Sequence, residues 1–166
     1  MRKPAPDAID LLDADHLAVH GLFQSYRELV RTAAPALQRR ALAEEICMEL
    51  TIHARLEEEL FYPALRDVLD DEDLADETED QHGTQRELVA QILSSAPEDE
   101  RYDGKVAALA EYVEKHVRNE REQVFNRALA ARVDLQSLGR SIAVRKEELR
   151  AVSDALREDA LASAQA

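Results

Sequence analysis

Glycine and proline are scarce in this chain, with four and five residues out of 166. The punctuation that a strand-rich domain needs is therefore missing. Ala, Leu, Glu, Arg and Val are abundant instead, a mixture that favours helix. There is no tryptophan, and aromatic residues make up 4% of the chain. The single cysteine, Cys47, allows no internal disulfide and suits a reducing compartment. Glu44, Glu45 and Glu49 surround it without a positive neighbour to stabilise a thiolate, so it reads as a small apolar filler. No run of 18 apolar residues is present, so no transmembrane helix is expected. Met1 to Pro6 is followed by no apolar run of signal-peptide length, and a cytoplasmic location is the expectation. Basic residues are outnumbered, 21 Lys and Arg against 35 Asp and Glu, for a formal charge of −14. Such a surface repels phosphate backbones and anionic lipid, so neither nucleic acid nor membrane is an expected partner.

The length fits one compact domain with a real core, and apolar periodicity predicts five helices. The first runs from about Asp7 to Thr32, with Ile9, Leu12, His16, Val19, Phe23, Tyr26 and Val30 recurring in steps of three and four. Pro35 opens the second at a first-turn position, with a stripe of Leu42, Ile46, Leu50, His53, Glu57, Leu60, Ala64 and Val68. Pro63 lies inside that stripe and should kink or loosen the helix. The acidic run Asp70 to Asp73 makes a turn into the third helix, which carries Leu74, Thr78, His82, Gln85, Val89 and Ile92 as far as about Ser95. After Pro97 and Gly104 the fourth shows Val106, Leu109, Val113, His116, Glu120, Val124 and Ala128. Asp134 can cap a fifth, bearing Leu135, Leu138, Ile142, Leu149, Val152 and Leu156. Short connections favour antiparallel neighbours. The expectation is all-α: an up-down antiparallel four-helix bundle over residues 1–133, with an additional C-terminal helix over 134–166. That helix is amphipathic, basic at Arg140, Arg145 and Lys146, and packs on the bundle or on a partner; a monomer or a homodimer fits.

Four of the five histidines, and two glutamates, fall on the apolar stripes: His16, His53, Glu57, His82, His116 and Glu120. A buried carboxylate costs several kcal/mol unless it is neutralised or bound to a cation. No Lys or Arg shares the level of these stripes, whereas two divalent or trivalent metals would supply the charge. In His53-x-x-x-Glu57 and His116-x-x-x-Glu120 each pair is one helical turn apart and faces one way. The levels also agree, since His16 before Thr32 and His53 after Pro35 are each about 25 Å along their helices.

The pattern is duplicated. His53-x-Arg55-x-Glu57-x-Glu59 returns as His116-x-Arg118-x-Glu120-x-Glu122, and Asp13-x-x-His16 returns as Glu79-x-x-His82. Each half offers a lone histidine and then a His-x-x-x-Glu, so an approximate two-fold axis would relate the halves. Two metals then sit on either side of it with Glu57 and Glu120 bridging. Asp13 and Glu79, three residues before a ligand, are placed to take the other imidazole N–H. Tyr26, Phe23 and Phe61 are expected to pack around the centre and dry it. His20 lies one turn beyond His16, outside the strict stripe, and is not counted as a ligand.

This order of residues resembles the hemerythrin-like HHE cation-binding family. Asp15-His16-x-x-Val19-x-x-Leu22-Phe23 and His53-x-x-x-Glu57-Glu58-x-x-x-Tyr62-Pro63-x-Leu65 look like that family's first and second helices. The resemblance covers about Asp7 to Ala131. It implies a non-haem di-iron centre, oxo- or hydroxo-bridged, that binds oxygen, hydrogen peroxide or nitric oxide. It assigns His16 and His53 to one iron, His82 and His116 to the other, and Glu57 and Glu120 to the bridges. Iron rests on this resemblance; by residue type manganese also fits. Two departures matter. Oxygen carriers of similar pattern have a further histidine where this chain has Arg86, and their last bridge is an aspartate five residues after its histidine, where Glu120 follows His116 by four. The resemblance therefore implies a more open centre, suited to reaction with peroxide, oxygen or nitric oxide, or else an iron or oxygen sensor or store acting through a partner.

Overall fold

Asp7 starts the first helix. Its carboxylate accepts the Asp10 N–H at 2.9 Å while the Asp10 carboxylate accepts the Asp7 N–H at 3.1 Å, a reciprocal cap on otherwise orphaned donors. The computed structural model describes residues 2–69 and 72–163, and the side chains of these except 72–80 and 163. Helix α1 spans Ala8–Arg31 and α2 spans Ala36–Leu56, with Pro35 at the N-cap, one position before its expected place. A π-helical turn, Glu57–Phe61, carries α2 without a break into α3 (Tyr62–Leu69). Helix α4 is Glu72–Leu93. Helix α5 (Tyr102–Asn119) runs through a second π turn, Glu120–Val124, into α6 (Phe125–Ala130). Asp70 and Asp71 of the expected acidic turn lie outside the described residues.

Four rods thus form the bundle: α1, α2 with α3, α4, and α5 with α6. Helix α1 packs along α2, α4 along α5, and α2 also against α4. Every regular element among the described residues is helical. None of these helices is long and apolar enough to cross a membrane. Two turns occupy corresponding places: Ala33 after α1 and Arg132 after α6 adopt left-handed backbone angles, φ 53° and 58°.

Asp134 caps α7 (Leu135–Ala151) by accepting the Ser137 N–H at 3.0 Å. In place of one C-terminal helix there are two. The chain turns at Val152 and continues as α8 (Ser153–Ser163), because α7 lies over α1 and α2 whereas α8 lies against α4 and α2. Gly139 makes the close approach possible, since a Cβ there would come within 2.9 Å of the Ala8 nitrogen. Arg145 pairs with Glu59, and Arg157 with Glu44, so basic residues of this C-terminal pair meet acidic residues of the bundle.

The stripes bury two apolar clusters, one around Val19, Phe23, Leu50, Leu109 and Val113 and one around Leu12, Leu56, Phe61, Val124 and Phe125. Val30 and Val68, near helix ends, are exposed despite their place in the period. Between the clusters lies a polar layer, and it holds the residues of interest.

Candidate metal centre

His16 follows Leu12 and precedes Val19 on α1, and the other helices place His53, His82 and His116 at the same level between the clusters. All four imidazoles are buried, and Glu57 and Glu120 are 0% exposed. The six side chains form two groups, His16 with His53 and Glu120, and Glu57 with His82 and His116; within each group the ligand atoms all lie within 4.8 Å of one another. Both glutamates reach across. Glu57 Oε1 is 2.9 Å from His53 Nε2 and 3.6 Å from His82 Nε2. Glu120 is 3.3 Å from His16 Nε2 through Oε1 and 3.1 Å from His116 Nε2 through Oε2.

Short as these separations are, they lack hydrogen-bond geometry. The Nε2 atoms of His16, His53 and His116, and Oε1 of Glu57 and Glu120, are buried with no hydrogen-bond partner. An unmade bond on a buried polar atom costs about 1–3 kcal/mol, more when the atom is charged. These atoms converge on shared points instead of on each other, which is the disposition of metal ligands. Imidazole and carboxylate together suit first-row transition metals, so the residues present fit such ions.

A second layer fixes each ring through Nδ1. His16 donates to Asp13 at 3.2 Å, His53 to Asp15 at 3.0 Å, His82 to Glu58 at 3.0 Å and His116 to the Gln81 side-chain oxygen at 2.7 Å. With Nδ1 as donor, Nε2 is the free lone pair turned to the centre. Three of the four acceptors are carboxylates held by cations: Asp13 by Arg121, Asp15 by Lys146 of α7, and Glu58 by Arg86. Of the two expected acceptors Asp13 serves, while the Glu79 side chain lies outside the described residues.

The π turns begin at the two buried glutamates. In an α-helix the residue five positions on is rotated by about 140°. Bonding from i to i+5 brings it round toward the glutamate's own face. The Tyr62 N–H bonds the Glu57 carbonyl in this way, and its hydroxyl lies 2.7 Å from Glu57 Oε2 and 2.9 Å from Glu120 Oε2, donating to the carboxylates. In the other half Phe125 holds the equivalent position and stacks on His16 with centroids 5.9 Å apart. Pro63 lies just past the first π turn, but the second has no proline, so the loosening does not depend on it.

Burial alone would drive these groups neutral, yet their mutual charges outweigh it. Desolvation pushes the Glu57 carboxyl up, and the charge on His53, with the polar groups packed around it, holds it well below the usual range. Desolvation likewise opposes charge on His53 and His82, but Glu57 and the Nδ1 carboxylates raise both. His116 is raised against its burial to about 10 by the neighbouring Glu120 and Glu57 carboxylates. Burial and the two carboxylates push the Tyr62 phenol well up, so it stays a donor. Without metal, protons on His53, His82 and His116 offset the charge of Glu57.

Other expectations fall elsewhere. His20 is exposed. Tyr26 does not line the centre; it donates to Asp103 at 2.6 Å, and Phe125, absent from the expected wall, takes that part beside Phe61. Asp15, Glu58, Gln81 and Tyr62 were not assigned their contacts from sequence. One signal was there: Asp15 and Gln81 are related by the same offset as His16 and His82.

Comparison with known proteins agrees with this fold. A hemerythrin HHE cation binding domain-containing protein from Mycobacterium kansasii, known from its crystal structure, superposes with a TM-score of 0.76 at 23% identity, covering 95% of this chain and all of the other. A DNA nickase of Nostoc sp. is 31% identical over 116 residues, which are 70% of this chain and 32% of that protein, so the chain spans about a third of that relative. The hemerythrin HHE cation binding domain profile matches residues 7–128. With its six inward ligands in two groups, this chain belongs to the hemerythrin HHE cation-binding family.

Proposed function

We propose that this chain is a non-haem di-iron protein that binds and reacts with a small oxidant, hydrogen peroxide foremost, with oxygen and nitric oxide as related ligands. The observation that carries the reading is the set of five buried, unpartnered Nε2 and Oε1 atoms converging in two groups. His16 and His53 would hold one ion, His82 and His116 the other, and Glu57 and Glu120 both. A bound iron pair supplies redox equivalents and open coordination positions for a small ligand. Zinc in structural sites takes four closed ligands, often with cysteine, and the one cysteine here is remote from the layer.

The chain's own residues shape that chemistry. Arg86, at the place of the further histidine in oxygen carriers, turns its guanidinium to Glu58 at 2.9 Å and adds no ligand on that side. Tyr62 keeps its proton and steadies both bridging carboxylates. Phe61 and Phe125 exclude water beside them. DNA nicking forms no part of the reading, since the shared stretch is a third of the nickase and a charge of −14 repels phosphate.

The test is stopped-flow spectroscopy of the reduced, iron-loaded protein mixed with oxygen, beside a peroxide-consumption assay with His82→Ala as control. The expected result is oxidation without a long-lived oxygen adduct, and peroxide consumption faster than by free iron and lost in the variant. A stable reversible adduct without peroxide turnover would restore an oxygen carrier. No reaction with either would favour a sensor or store.

A further inference from the structure

The internal two-fold sets two equivalent seams beside the polar layer, α1 against α5 and α4 against α2. They are finished differently. Along the second seam, Arg86 is tied to Glu58, and Leu156, Asp159 and Ala160 of α8 wall a cavity of about 340 Å³ that none of the four site histidines lines. Along the first seam, the position equivalent to Arg86 is the exposed His20, and no residue of α7 or α8 lines the cavity. That cavity, about 630 Å³, reaches His16 itself between Phe23, Ala110 and Val113. It adjoins a second of about 350 Å³ farther along α1 and α5, with Phe23, Arg27 and Ala110 lining both.

His16 joins this seam to the centre. Its ring lines the cavity, while its Nε2 is buried, unpartnered and 3.3 Å from Glu120. His116 also lines a cavity, but a smaller one of about 200 Å³ shared with Gln81, which its Nδ1 already bonds. The lining of the α1/α5 seam carries Arg27, Arg118 and Arg121 against Glu114 and Glu122, so in a strongly acidic protein this seam is close to balanced in charge and does not turn away a small anion.

We infer that the α1/α5 seam is the port by which a small ligand reaches the metal layer, arriving on the side of His16, His53 and Glu120, while α8 and the Arg86–Glu58 pair close the equivalent route. The inference rests on the reading that the layer holds metals with a position open to such a ligand.

Azide is the probe, and its association with the iron-loaded protein is followed by stopped-flow absorption. Single cysteines are placed in each seam, Glu114→Cys in the open one and Arg55→Cys in the roofed one, and each is labelled with a bulky maleimide. Cys47 stays silent, being wholly buried with its thiol pushed up to about 12 by burial. The label at position 114 should slow azide association by about tenfold or more, and the label at position 55 by less than about twofold. Unlabelled variants should match the parent and certify intact folding. Equal slowing by both labels, slowing only from position 55, or no slowing from position 114 would overturn the port and leave the metal reading intact. An unlabelled loaded protein that binds no azide would sink the open-position reading, and the port with it.

Discussion

The two halves of the centre use the same three-residue plan but surround it differently. In the first half, His16 and His53 are both backed by carboxylates, Asp13 and Asp15, each held by a cation. In the second, His82 is backed by Glu58 and His116 by the neutral amide of Gln81. A carboxylate behind an imidazole raises its basicity and strengthens its bond to a metal. On the proposed reading the duplication would therefore make two metal sites of similar plan and unequal strength. The stronger one would be the group under α7, whose Lys146 reaches Asp15.

The largest effect that sharpens this comparison concerns the shared glutamates. Glu57 touches histidines of both halves, so Glu57→Ala should weaken both sites and lower the stability of the metal-loaded protein by about 3–5 kcal/mol. In the metal-free protein the same change should cost less, because the imidazoles that face Glu57 can give up their protons once it is gone. Thermal melts of both forms decide; equal losses would make Glu57 a structural residue only.

The inequality itself can be reversed. Asp15→Asn should reduce metal affinity at the first site by roughly 10- to 100-fold, and Gln81→Glu should raise it at the second. Competition titrations against a chelator measure both. If neither variant moves its site, the second layer does not set the difference.

How much of this was legible beforehand follows from periodicity. The six inward residues stand out because a polar residue on an apolar stripe breaks an otherwise regular rule, and six did so at one level. The same reasoning hides Tyr62, because five residues on an α-helix lead away from Glu57 and only the π turn brings them together. The acceptors Asp15 and Gln81 act across helices, and a one-helix pattern cannot show such pairs. The break at Val152 carries no glycine or proline to mark it and reflects which helices α7 and α8 pack on.

Acidity offers a smaller but directional effect. The folded metal-free protein holds His116 at about 10, above its ordinary value of 6.5. A raised pKa stabilises the fold fully below the unfolded value, and the contribution disappears as pH rises through the folded one. Metal-free protein should thus lose stability between about pH 7 and 10, less steeply in His116→Gln. The loaded protein should show the opposite trend at its acid end, since protons displace metal from imidazole. Melting temperatures against pH for the two forms would reveal parallel slopes if protons and metal do not compete.

The smallest effect lies at the paired turns. Ala33 and Arg132 hold left-handed angles that glycine adopts freely. Ala33→Gly and Arg132→Gly should each stabilise by about 0.5–1 kcal/mol after the entropy of the unfolded chain is counted. Denaturant midpoints test this, and a loss at either turn would show that its side chain contributes more than its backbone costs.

The central claim is that two metals replace protons among these six residues. Ferrous iron titrated anaerobically into metal-free protein, with bound metal and melting temperature followed together, tests it most directly. The account predicts a rise in melting temperature that stops at two ions per chain, the first held more tightly than the second. A break at one ion, or binding with no change in melting temperature, would contradict it.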